Sequence, residues 1–166
     1  MDKDGWMPLS FVAESGSKDV VHLLLTSDDV EVNSTDKDGW TPLSFAAEMR
    51  SWQAGYKDIV KLLLRCDYTA DKNGQTPISF AAQAESKDVV WLLPTCDNVK
   101  ANSTIKDGWT PLSFAAESGS KDVVQLILTC DDVDVNSMDK DWQMSLSFAA
   151  ESGSKDVVWL CLHVIM

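Results

Sequence analysis

Cations are scarce in this chain of 166 residues: 14 Lys and Arg stand against 26 Asp and Glu, for a net charge of −12. Nucleic acid binding draws most of its affinity from Lys and Arg that neutralise phosphates, so nucleic acid is excluded as the expected partner. Histidine is rarer still, with only His22 and His163, and no Ser, His and acid arrangement is suggested. The four cysteines, Cys66, Cys96, Cys130 and Cys161, contain no Cys-x-x-Cys pair, so neither a zinc site nor a redox motif is indicated. No nucleophile, base, metal or cofactor constellation remains, and the chain is expected not to be an enzyme and to take no small-molecule substrate.

Long apolar runs are missing as well. The longest, Val157 to Met166, is interrupted by His163 and falls far short of the ~20 residues of a membrane span. The acidic start, Met1-Asp2-Lys3-Asp4-Gly5, lacks the basic and then apolar regions of an export signal. No membrane partner is expected, and the expected location is the cytoplasm or nucleus. What is present, 45% hydrophobic and 24% charged residues, is the balance of a folded domain with a packed core.

The organisation is repetitive. Pro-Leu-Ser-Phe begins at Pro8, Pro42 and Pro111, Pro-Ile-Ser-Phe at Pro77 and Ser-Leu-Ser-Phe at Ser145, at spacings of 34, 35, 34 and 34. A second block follows each, beginning at Lys18, Lys57, Lys87, Lys121 and Lys155 and reading Lys-Asp-Val-Val or Lys-Asp-Ile-Val. The units span 1–34, 35–69, 70–103, 104–137 and 138–166. A fixed period of this length is the mark of a stacked array.

Each unit predicts two short helices and a connecting arm. Thr41 can cap the first helix while Pro42 suits its first position, and Leu43, Ala46 and Ala47 share one face. Gly16 ends the first helix of unit one through a left-handed backbone. Ser17 is expected to cap the second helix, whose first turn carries Asp19 and whose buried pairs are Val20 with Leu24 and Val21 with Leu25. The stretch from Asp28 to Trp40 alternates weakly and ends in Asp38-Gly39, which predicts a β-hairpin. A helix pair this short cannot bury its apolar faces alone, so stacking must do it.

The consensus Asp-x-Asp-Gly-Trp-Thr-Pro-Leu-Ser-Phe-Ala-Ala-Glu-x-Gly-Ser-Lys-Asp-Val-Val-x-Leu-Leu-Leu resembles the ankyrin repeat in spacing and in nearly every framework position, over the whole chain. The resemblance implies an all-α solenoid of helix-turn-helix units with short β-hairpin fingers. Ser44, Ser79 and Ser113 stand where that family usually has His, which removes a hydrogen-bonding framework side chain and resembles the arrays of filamentous fungi.

The resemblance also implies a non-enzymatic module that binds a protein partner through its hairpin tips and inner helix face. Carried over by position, the tips offer Asp4, Asp38 and Asp107. Trp6, Trp40, Gln75 and Trp109 follow the turn glycine, and the inner helices carry Glu14, Glu48, Gln83, Glu117 and Glu151. Tryptophan beside acid predicts a groove for a basic, partly apolar segment, with desolvated indoles as anchors. The competing expectation lays each indole along the neighbouring finger as framework. A regulatory or sensor arm of a larger protein, or a decaying fragment, is the alternative function.

Unit two departs from its siblings. Eight residues, Met49 to Tyr56, replace the usual three before Lys57, and four are missing between Leu64 and Gly74. Arg50, Trp52 and Tyr56 are interface residue types within that insertion and are candidate contacts. Pro94 replaces the last Leu of the second helix of unit three, where an interior Pro costs ~3 kcal/mol. Unit five reads Trp142-Gln143-Met144-Ser145 where unit four has Gly108-Trp109-Thr110-Pro111, losing turn glycine, cap and proline. Both ends carry the apolar pattern of interior units rather than a polar cap.

Overall fold

The computed structural model describes residues 6–27, 29–48, 54–64, 70, 73–92 and 100–165. Asp4, Arg50, Trp52, Cys66, Cys96 and Pro94 lie outside the described residues, as does the side chain of Glu48.

Ten helices alternate along the described chain: α1 Pro8–Ser15, α2 Lys18–Leu24, α3 Pro42–Glu48, α4 Ala54–Leu63, α5 Pro77–Gln83, α6 Lys87–Leu92, α7 Pro111–Glu117, α8 Lys121–Ile127, α9 Ser145–Glu151 and α10 Lys155–Ile165. The first helices pack in the series α1, α3, α5, α7, α9, the second in the series α2, α4, α6, α8, α10, and each first helix packs on its own second helix. The result is an all-α helical solenoid.

The core lies between the two series. Ala13, Ala46, Ala47, Ala81, Ala82, Ala115, Ala116 and Ala149 are fully buried, with Ile59, Val60, Val90, Val123, Val124, Ile127 and Val157 on the second helices. Alanine on the first helices lets neighbouring backbones approach closely. The larger side chains of the second helices each contribute about 1.5–3 kcal/mol of burial. Leu43, Ala46 and Ala47 share a buried face as the spacing predicts.

The caps depend on the residue before the proline. Thr110 accepts from Ser113 N at 3.1 Å while Thr110 N donates to Ser113 Oγ at 3.3 Å, a reciprocal capping box. Thr41 and Ser44 repeat it at 3.1 and 3.4 Å. The serine expected only to remove a framework hydrogen bond therefore supplies another: its short hydroxyl performs the backward reach that Glu or Gln usually makes. Gly16 closes α1 at φ 76°. Ser17 occupies the N-cap of α2 but makes no capping bond, and its hydroxyl accepts from Ser15 Oγ at 3.2 Å. Val20, expected to pair with Leu24 in the core, is 44% exposed, on the face that in the other units packs against the preceding helix pair.

The fingers differ from expectation. Among the described residues no β-hairpin ladder forms, and the only bridge is the isolated antiparallel pair Met138 and Met144. Polar side chains and neighbouring arms take the hydrogen bonds that a ladder would use. Asp36 Oδ1 accepts from Asp38 N at 2.9 Å and Trp40 N at 2.8 Å, and Asp139 does the same for Asp141 N and Gln143 N at 2.8 Å. Asx turns of this kind replace backbone pairing. Between arms, Lys106 N donates to Asn73 O at 2.9 Å and Lys140 N to Asp107 O at 3.0 Å.

Candidate functional site

The surface formed by the first helices and the arm tips gathers most of the residues singled out by sequence. Glu14, Gln83, Glu117 and Glu151 are exposed at the carboxyl ends of α1, α5, α7 and α9. Stacking of the first helices sets them at equivalent positions of successive units. Gln83 and Glu151 accept from Gln75 Nε2 at 3.4 Å and Gln143 Nε2 at 3.0 Å. Among the described residues, no cation lies within ion-pair distance of Glu14, Glu117 or Glu151. Asp38 and Asp107 are exposed at the tips, and Asp107 pairs with Lys140 at 3.3 Å.

The indoles pack against phenylalanines of the first helices. Trp6 stands between Phe11 and Phe45 at centroid distances of 4.8 and 4.4 Å. Trp40 stands between Phe45 and Phe80 at 5.2 and 4.7 Å, and Trp109 between Phe114 and Phe148 at 5.1 and 4.3 Å. Each tryptophan thus bridges the phenylalanine of its own first helix and that of the next, in tilted contacts that add to the area they bury. Gln75 occupies the equivalent slot between Phe80 and Phe114 and breaks the aromatic ladder there. The indoles remain half-buried, so one edge of each still borders the acidic row. The phenylalanine partners were missed from sequence, although the signal was present as a Phe five residues after each Trp.

Tyr56 is buried, donates its hydroxyl to Glu14 O at 2.6 Å and packs against Gly16. The one described aromatic of the unit two insertion is therefore spent on the contact between α4 and the end of α1. Two other indoles were overlooked: Trp91 and Trp159 share a slot on α6 and α10 and are 61% and 62% exposed, with Trp159 stacked on His163.

The opposite face carries three lysine–aspartate pairs among the described residues. Lys18 meets Asp58 at 2.7 Å, Lys87 meets Asp122 at 2.5 Å and Lys121 meets Asp156 at 3.2 Å. The hydrogen bond from Lys18, with its charge, holds Asp58 below the ordinary carboxylate value, and Lys87 does the same to Asp122. Lys18 is raised in turn by Asp58. Burial raises the thiols of Cys130 and Cys161, Asp132 and Asp131 adding to the shift at Cys130, so neither is an activated nucleophile. Asn102 Oδ1 accepts from Asp134 N at 3.3 Å and Ser137 Oγ at 3.4 Å, tying one arm to the next.

A family model described as ankyrin repeats (3 copies) matches residues 1–71, 49–139 and 96–164. The chain belongs to the ankyrin-repeat family. The match identifies the family and not a source organism. Comparison with curated proteins finds none that matches the chain. The ankyrin fold is a non-catalytic scaffold that generally serves protein–protein interaction. In this ankyrin array, no group of three or more His, Cys, Asp or Glu among the described residues could hold a metal ion. No helix among them is long and apolar enough to cross a membrane.

Proposed function

We propose that this ankyrin array is a non-enzymatic binding module that receives a basic, extended segment of a partner protein along its first helices and arm tips. The observation that carries the reading is the contrast between the two faces. Asp58, Asp122 and Asp156 on the second helices are each met by a lysine, whereas among the described residues no cation reaches Glu14, Glu117 or Glu151 on the first helices. Like charges spaced along one surface repel one another, and an incoming Lys or Arg relieves that repulsion. Asp38 and Asp107, the latter already paired with Lys140, extend the acidic surface toward the tips, with Asp4, Glu48, Gln75 and Gln83 in equivalent sequence slots. Trp6, Trp40 and Trp109 offer half-buried apolar edges beside it; of the insertion residues, Arg50 and Trp52 are candidates by residue type, whereas Tyr56 is buried against the end of α1.

The test is the affinity of a Lys- and Arg-rich peptide for the wild type and for the triple variant Glu14→Gln, Glu117→Gln, Glu151→Gln, followed across salt concentration. Weaker binding and a shallower salt dependence in the variant are expected. Equal affinity in both proteins refutes the groove. A double variant Trp40→Ala, Trp109→Ala that melts lower yet binds the peptide as well as the wild type would assign the indoles to the framework alone.

A further inference from the structure

The five units differ along the surface proposed to bind. Trp6 and Trp40 precede Glu14 and Glu48 in units one and two, and Trp109 precedes Glu117 in unit four, at one constant spacing. Unit five keeps the acid, as Gln143 with Glu151, whereas unit three has neither member and reads Gln75 and Gln83. The two neutral side chains touch: Gln75 Nε2 donates to Gln83 Oε1 at 3.4 Å. In unit five the same bond runs from Gln143 Nε2 to Glu151 Oε1 at 3.0 Å and ends on a carboxylate. Unit three is otherwise regular, with Pro77, Ile78, Phe80, Ala81 and Ala82 buried and α5 packed on both α3 and α7. Gln83 is exposed at the carboxyl end of α5, so the neutral pair stands within the row as a gap in its charge.

Spacing turns this pattern into a requirement on the partner. Each tryptophan touches the phenylalanines of two successive first helices, which fits consecutive units at the roughly 8–10 Å of packed helices. An extended chain advances about 3.3 Å per residue, so about three residues of a bound segment pass each unit. A lysine or arginine opposite Glu14, Glu48, Glu117 or Glu151 meets a carboxylate. Opposite Gln83 it meets a carboxamide and gives up water without gaining a counter-charge. Unit three also has no indole edge to cover the aliphatic stem of such a side chain. A carboxamide suits a neutral polar group instead, because it donates as well as accepts.

Building on the reading of this surface as the site of a basic segment, we infer that the partner carries its cations in two blocks, one over units one and two and one over units four and five. A neutral polar residue such as Gln, Asn or Ser lies between them on Gln83. Gln75 and Gln83 are thus specificity-determining residues that set the register of the bound segment. Selectivity comes from the mismatch as much as from the match. A segment with four cations in an unbroken run places one of them over the carboxamides whether it lies on units one to four or on units two to five.

Two synthetic peptides of about 15 residues separate register from charge. Both place four lysines and one glutamine at every third position in an otherwise neutral sequence; the glutamine takes the central position in one and the first position in the other, so composition and charge are identical. The wild type is expected to bind the peptide with the central glutamine about two- to fivefold more tightly, the size of one exposed ion pair. Gln83→Glu, an isosteric change of an exposed side chain, is expected to bring the ratio to about one, and Gln83→Lys to widen it. Equal affinity of the wild type for the two peptides, with binding that still weakens in the triple variant Glu14→Gln, Glu117→Gln, Glu151→Gln, overturns the register and leaves the groove standing. A preference that persists unchanged in both Gln83 variants overturns the assignment to unit three. Binding of neither peptide, or binding indifferent to the triple variant, refutes the groove and the register with it.

Discussion

Replacing Ser145 by proline is expected to raise the melting temperature of the array. Ser145 opens α9, the position held by Pro8, Pro42, Pro77 and Pro111 in the other first helices. It is fully buried, and its Oγ has no hydrogen-bond partner. An unsatisfied buried hydroxyl costs about 1–3 kcal/mol. Proline at the first helical position removes no needed donor, because that amide has no partner within the helix, and by restricting the unfolded chain it adds about 0.4–1 kcal/mol. The backbone is already suitable: Met144 has φ −100° and ψ 165°, against −96° and 165° for Thr110 before Pro111. An extended conformation is what the residue before a proline requires. The two contributions together come to about 2 kcal/mol, or roughly 4–8 °C for a chain of this size. Thermal denaturation followed by circular dichroism measures it, and Ser145→Ala separates the components, since it removes the hydroxyl without adding the ring. An unchanged or lower melting temperature for the proline variant would refute the account of how unit five is weakened.

Three further outcomes follow from the same geometry. Trp142 has φ 62° and is 81% exposed in the slot of Gly39, Gly74 and Gly108; Trp142→Gly should stabilise by about 1 kcal/mol by relieving a left-handed residue, read as a rise in denaturation midpoint. Gln75→Trp should complete the aromatic ladder between Phe80 and Phe114 and add about 0.5–1.5 kcal/mol beyond area burial, whereas a lower midpoint would show that the slot in unit three cannot accept an indole. Asp58 and Asp122 have lowered pKa values, so their ion pairs contribute fully above the ordinary carboxylate range and are lost as pH falls through the folded values. Lys18 is raised, and its contribution is lost only as pH rises through its folded value. Stability should therefore be flat through neutral pH and fall on the acid side, with a shallower acid limb for Asp58→Asn combined with Asp122→Asn in melting scans across pH.

The helix pairs were legible because they are written in local terms. Pro42 at the first helical position, Gly16 at the end of α1 and the apolar spacing of Leu43, Ala46 and Ala47 each act within one unit, and each is where the pattern places it. What was not legible depends on contacts between units. Asp38-Gly39 reads as a hairpin turn, but nothing local to it reveals that Lys106 N and Lys140 N bond to the preceding arm instead. The tryptophan row was visible, while its phenylalanine partners on the following helices required the stacking distance. Ser17 and Ser120 are good capping residues by type, yet neither makes a side-chain capping bond. Val20 follows the apolar pattern of its slot, yet burial at that slot depends on contact with a preceding helix pair and not on the unit itself.

The one-way register of the junctions bears on how such a chain can lengthen. Because three of the four described junctions pair a lysine of one unit with an aspartate of the next, a copied segment of about one period arrives with boundaries largely complementary to whatever flanks it. Insertion by duplication then needs no compensating change elsewhere. The cost falls on identity: positions at the boundaries cannot drift independently in different units without breaking a match made with two neighbours. The repetition of Lys-Asp-Val-Val along the chain is what a history of growth by copying would leave behind.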